Sequence, residues 1–218
     1  MIVLNLCVPS SYRDRLRILL ILYFFSEDYI NENIPELVKV FHSEVKIQKI
    51  DFLIRYPDYL CFELIKQKNA SNSNEIQAII KDIFNSKEPE VRREEMLRYI
   101  YGAYEDIDNI ISFWISTGFI KYNCKVNTMG KYYDKSYYIT KRGNRKIEND
   151  ILSNMESAQW YIQRCQLIKK YFYDMTGTEL KERQYMHPEY KNTNIGCFIS
   201  EIVDKVKKVY FEEYGEVL

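Results

Sequence analysis

Glycine is scarce: the 218-residue chain has seven, all widely separated. A phosphate-binding loop needs several glycines close together so that backbone N–H groups can approach the phosphates. Gly130-Lys131-Tyr132 resembles the end of such a loop only superficially, since no glycine precedes it at the right spacing and no Ser or Thr follows the lysine. Histidine is scarcer still. His42 and His187 stand apart from Cys or acidic residues at metal-ligand spacing, which argues against zinc and leaves the scattered serines without an inferable base. The five cysteines, Cys7, Cys61, Cys124, Cys165 and Cys197, are odd in number and form no CxxC pair, so they read as buried, reduced thiols. Charge bias is also missing: Lys plus Arg and Asp plus Glu both count 31, so any attraction to phosphate must be local. Long apolar runs are absent too. Leu16 to Phe25, LRILLILYFF, is too short to cross ~30 Å of hydrocarbon, holds Arg17, and lacks a small-residue cleavage site after it. It reads as a core helix of a cytoplasmic protein.

Candidate acids give no catalytic constellation. Asp58 followed by Glu63-Leu64-Ile65-Lys66 echoes a restriction-nuclease metal site, but acid and lysine are three apart and the segment reads as helix. Glu94, Glu95, Glu105, Asp106 and Asp108 fall at helix starts or on polar faces, where negative charge is favourable without any chemistry. No cofactor and no metal is expected, and the chain is not expected to be an enzyme.

What is abundant is tyrosine, at 20 residues, beside many Asn, Lys and Ile. That mix follows from A- and T-rich coding DNA, so the tyrosines are expected in the core or half-buried rather than as a stacking platform. With 46% hydrophobic and 28% charged residues the chain is expected to be globular, and its length allows two small units.

The periodicity predicts a mainly α (α+β) fold. Residues 1–68 are expected to be a helical unit: an extended IVLNLCV run, a helix over 12–25, a second helix started by Asn33-Ile34-Pro35-Glu36 with Leu37, Val38, Val40 and Phe41 on its buried side, and a third over 45–55. Tyr56-Pro57 breaks that helix before it resumes at 60–66. The polar stretch Lys68 to Glu75 is the expected boundary. Residues 73–145 are expected to form a winged helix-turn-helix unit. Ile76, Ile79, Ile80, Ile83 and Phe84 mark its first helix, 91–101 its second, and Glu105 to Thr117 its third, closed by Gly118. Phe119–Val126 and Tyr132–Thr140 then read as a hairpin. Residues 146–218 are expected as a C-terminal helical extension. It has a long helix over 146–173 with a heptad-like seam (Ile151, Met155, Ala158, Ile162, Cys165, Phe172), a loop at His187-Pro188, and a final helix burying Phe198, Ile199, Ile202, Val203, Val206 and Val209.

The hairpin is the functional candidate. Lys121, Lys125, Lys131, Lys135, Lys141, Arg142, Arg145 and Lys146 face one acid, Asp134, a local net of +7 that could contact DNA non-specifically or a partner protein. The helix before it carries Glu105, Asp106 and Asp108 in its first turn, where a base-reading helix needs donors. An acidic face beside a basic wing favours a docking surface for proteins over a sequence-specific repressor.

Three stretches carry a family likeness: KIQKIDFLIRYPDYL (46–60), MLRYIYGAYEDIDNIISFWISTGFIKY (96–122) and KSYYITKRGNRKIEN (135–149). Together they resemble the middle component of bacterial ABC-three-component systems, in particular the small subunit of Lamassu-type antiphage defence. The likeness rests on Arg55 to Leu60 and Arg98 to Gly102, covers about residues 12–149, and leaves the last seventy unmatched. It implies a non-catalytic adaptor that bridges an SMC-like ATPase to an effector nuclease and restrains the effector, touching double-stranded DNA, if at all, through the complex. The alternative is a winged-helix transcription regulator.

Overall fold

A computed structural model describes residues 11–99, 102–103, 107–126, 128 and 132–218. The IVLNLCV run, Glu105, Asp106, Gly130 and Lys131 lie outside them. In chain order the elements are α1 (Ser11–Phe25), β1 (Glu27–Asp28), β2 (Leu37–His42), α2 (Glu44–Arg55), α3 (Pro57–Lys66), α4 (Ser73–Asn85), α5 (Glu88–Val91), β3 (Arg98–Tyr99), β4 (Gly102–Ala103), α6 (Ile107–Ser116), β5 (Ile120–Val126), β6 (Tyr132–Thr140), α7 (Lys141–Lys146), α8 (Gln159–Phe172), α9 (Gly177–Tyr185), α10 (Pro188–Lys191) and α11 (Val203–Tyr214). The fold is mainly α with a small antiparallel sheet, an α+β chain as expected. It divides into two compact units, each built from two separate segments: Met1–His42 with Asp106–Ile162, and Ser43–Glu105 with Gln163–Leu218. The polar stretch 68–75 therefore lies inside the second unit, and residues 73–145 are shared between both.

The first unit is organised around the sheet β1-β2-β6-β5. Its central helix α1 is apolar nearly all round, and Ile18 to Leu22 are fully buried. Trp114 of α6 donates its indole N–H to the Arg15 carbonyl (3.0 Å) and stacks on Phe119 at 5.2 Å. Gly118 (φ 73°) ends α6 in a Schellman motif: Phe119 N–H reaches the Trp114 carbonyl (3.0 Å) and Gly118 N–H that of Ile115 (2.9 Å). That turn aims the chain into the hairpin, where Ile120 faces Ile139 and Tyr122 faces Tyr137. At the far end Thr140 caps α7, accepting from Gly143 N–H (3.0 Å) while its hydroxyl donates to the Gly118 carbonyl (2.7 Å). A Cβ on Gly143 would stand 2.5 Å from the Phe119 carbonyl oxygen, so this junction admits no side chain.

The second unit holds an aromatic core. Phe52 stacks on Tyr56 (4.6 Å) and meets Tyr59 and Tyr190 edge-on at 5.0 and 5.6 Å. Tyr56, Tyr59, Tyr190 and Tyr210 are fully buried, the placement expected of the tyrosines. Tyr56 Oη accepts from Met96 N–H (2.9 Å) and donates to the Ile199 carbonyl (3.2 Å), which ties three chain segments together.

Four expectations about local structure are corrected. Residues 37–42 form a strand, not a helix: Asn31 and Asn33 build a turn (Asn33 N–H to Asn31 Oδ1, 3.0 Å), and Leu37 to His42 pair with β6 from Thr140 to Ser136. Of the helix expected over 91–101, the helical turn ends at Val91, and the described residues beyond it leave the helix, with Arg98–Tyr99 in a strand. Glu94 N–H donates to the Arg55 carbonyl (3.1 Å), the Arg55 guanidinium returns to the Glu94 and Glu95 carbonyls (3.0 and 2.7 Å), and Arg98 N–H donates to the Cys197 carbonyl (2.9 Å). The long helix over 146–173 is broken. A π-helical turn, Ile147–Leu152, succeeds α7, and Met155 is extended (φ −98°, ψ 94°) before α8. Ser153 Oγ bonds the Glu148 carbonyl and Asn154 Nδ2 that of Asn149, polar side chains taking acceptors that a continuing helix would use. Finally, α11 starts only at Val203. Ile199 N–H donates to the Met96 carbonyl (3.1 Å) and Phe198 bridges Leu97, so 198–202 lie outside the helix. Cys197 is exposed, whereas Cys61 and Cys165 are buried as expected.

Candidate functional site

Two places in the fold collect charged side chains, one in each unit. In the first unit, Lys121 and Lys125 project from β5, Lys135 from β6, and Lys141, Arg142, Arg145 and Lys146 from α7. They do not form a uniform positive face. Lys121 pairs with Glu36 (2.7 Å), Lys125 with Asp134 (2.6 Å), Lys146 with Asp150 (2.7 Å) and Lys135 with Asp108 (3.8 Å). The Lys121 hydrogen bond holds the Glu36 carboxyl below its usual range, and Lys125 does the same to Asp134. Both carboxylates are exposed, so these pairs contribute little stability. Their consequence is the charge pattern: Asp108, the described member of the acidic helix face, lies beside Lys135 of β6, and acids stand among the lysines of the hairpin. Arg142, Arg145 and Lys146, with Asn149 and Asp150, line an open groove of about 300 Å³ at the π-helical turn.

His42 has a neighbour that no local spacing announces. Its Nδ1 lies 2.9 Å from Ser136 Oγ, and the strand register explains this, since His42 and Ser136 are cross-strand partners of β2 and β6.

The second unit holds a buried polar cluster that sequence reasoning missed. His187 Nε2 lies 2.9 Å from Glu63 Oε1, and Arg183 Nη1 donates to Glu63 Oε2 at 2.9 Å. The partners lie 124 and 120 residues apart, so no pattern along the chain could reveal them. Tyr59 and Phe62 hold the imidazole edge-on at 4.9 and 4.8 Å. Glu63 and Lys66 of the nuclease echo thus sit on α3 as the helical reading expects. Asp58, at its start, caps Ile202 N–H (2.6 Å), and burial pushes its carboxyl above the usual range.

Glu63, Arg183 and His187 form a wall shared by two cavities. The outer one, about 440 Å³, is also lined by Phe62, Lys66, Met186 and Lys205. The inner one, about 20 Å³, has room for a single water and is lined otherwise by Phe52, Phe172, Leu180 and neighbouring apolar groups, with Lys49 and Gln184. Among the described residues, Lys49 Nζ and both polar atoms of Gln184 have no hydrogen-bond partner. Burial, with Lys181 adding repulsion, pushes the Lys49 ammonium down from 10.5 to about 8. Between these values the unfolded chain holds a proton that the folded chain lacks, so this lysine makes stability rise with pH across that window and imposes a constant cost below it. Lys49→Met is accordingly expected to be more stable than the parent at neutral pH by up to roughly 3 kcal/mol, the advantage shrinking as pH rises from about 8 to about 10.5. Urea titrations of both proteins across that range measure this directly.

Among the described residues, no group of three or more His, Cys, Asp or Glu is placed to hold a metal ion, and no helix is long and apolar enough to cross a membrane. No family model, curated protein or solved structure matches the chain.

Proposed function

We propose that this chain is a cytoplasmic, non-catalytic adaptor that docks other proteins through the charged face of its first unit. The observation that carries this reading is the pairing of Lys121, Lys125, Lys135 and Lys146 with acids of the same unit. Phosphate tracking rewards cations that are free to release condensed counterions, whereas a surface of alternating sign rewards a partner of complementary pattern. The resemblance of residues 46–60, 96–122 and 135–149 to the middle component of ABC-three-component systems supplies the partner classes: an SMC-like ATPase and an effector nuclease that the adaptor restrains in antiphage defence.

Within such a complex, the groove at Arg142 and Arg145 is where non-specific contact with a DNA backbone would fall. Replacing Arg142 and Arg145, which line the groove and take no part in the four pairs, by Glu is expected to weaken DNA binding by the complex without dissociating it, lowering the log-log salt slope by about 0.9 per lost contact. An unchanged slope would reject that contact. A base-specific footprint from the isolated chain, at nanomolar affinity in physiological salt, would instead support a winged-helix transcription regulator.

A further inference from the structure

The outer cavity of the second unit has no part in the docking surface, yet it has the size and chemistry of a ligand site. Its volume falls within the range of small-molecule pockets. Among the described residues, three cationic side chains, Lys66, Lys205 and Arg183, line it against one carboxylate, Glu63. That carboxylate already accepts from Arg183 and contacts His187, so it is a poor acceptor for an incoming cation. Phe62 fixes the other two charges at the mouth: the Lys205 and Lys66 ammonium groups stand 5.1 and 5.5 Å from its ring centroid. Lys205 is shared with Glu189 (2.9 Å), while Lys66 sits exposed at the C-terminal end of α3. Behind the common wall, the Lys49 ammonium, without a hydrogen-bond partner among the described residues, adds positive potential in a place from which water is almost excluded.

We propose that this cavity binds a small organic oxyanion, a phosphate or carboxylate group on an apolar body, with the anion held by Lys66, Lys205 and Arg183 and the body resting on Phe62 and Met186. Met186 is 77% exposed, an unusual position for a large apolar side chain and one suited to covering a ligand.

The two histidines make the test self-controlled, since His187 lines the cavity and His42 belongs to the other unit. The full chain is titrated with inorganic phosphate and, separately, with malonate, while the imidazole resonances are followed by NMR. The expected result is a saturable shift of the His187 signals in at least one titration, with His42 unmoved. Phosphate alone would mark a phosphate site, malonate alone a carboxylate site, and both a general oxyanion site. Lys66→Gln with Lys205→Gln changes two groups at the cavity mouth without touching the buried wall, and is expected to weaken the binding about tenfold or more. The proposal is overturned if neither anion gives a saturable His187 shift, if His42 shifts in parallel, or if the double variant binds unchanged.

Discussion

Replacing Arg164 by Met is expected to lower the unfolding free energy by about 3–5 kcal/mol. Arg164 lies on α8 and pairs with Glu88 of α5, and both side chains are almost entirely buried. Removing the guanidinium leaves a carboxylate in a medium that solvates it poorly, and that desolvation is the larger part of the cost. The asymmetry is testable. Replacing both partners, Glu88→Leu with Arg164→Met, is expected to recover most of the loss, because no charge is then stranded. Urea unfolding gives the result, with an unchanged m-value showing that the transition still exposes the same surface. A cost below about 1 kcal/mol for Arg164→Met, the range of exposed pairs, would contradict the assignment.

Phe52→Ala is expected to cost about as much, roughly 3–5 kcal/mol, for a different reason. Phe52 is 2% exposed and fills the centre of the cluster formed with Tyr56, Tyr59 and Tyr190. Two of the three tyrosines are held from collapsing into the space it leaves. Tyr56 Oη is pinned by Met96 and Ile199, and Tyr59 Oη donates to the Ser200 carbonyl at 3.0 Å. A rigid surround leaves a cavity, and the cavity sets the upper end of the range. Phe52→Leu, which keeps most of the volume, should cost distinctly less, and equal losses for both would show that the site relaxes.

The elements legible in the sequence are those whose signals are local. The Ile76-Ile80-Ile83 stripe, the Tyr56-Pro57 break and the Gly118 turn each act within a few residues, and α4, the α2–α3 junction and the end of α6 obey them. The hairpin is equally plain, since β-prone runs on either side of a short turn pair with each other. The elements that escape are decided at long range. Residues 37–42 carry a helix-start signal ahead of them, but β6, nearly a hundred residues later, offers Val40 and Phe41 a buried strand position. The described segment after Val91 leaves the helix because Arg55 and the chain around Cys197 claim its backbone groups. Helix α9 escapes for no such reason, since its capping box, Thr176 with Glu179, is a readable local signal. His187 looks isolated along the chain because its carboxylate partner lies on α3.

The charged hairpin shows the limit of counting residues along the chain. The net of +7 between Lys121 and Lys146 is correct as a sum, yet Glu36, Asp108 and Asp150 come from outside it or from its edge and sit on three of those lysines. Electrostatic reach is spatial, so a linear window overstates the field that a phosphate would meet.

Co-expression with the products of the neighbouring genes, then affinity purification of this chain and size-exclusion chromatography, tests the adaptor reading most directly. The expected result is a stable complex containing an SMC-like ATPase and a nuclease. A chain that elutes alone, with both of those proteins present and folded, would contradict it.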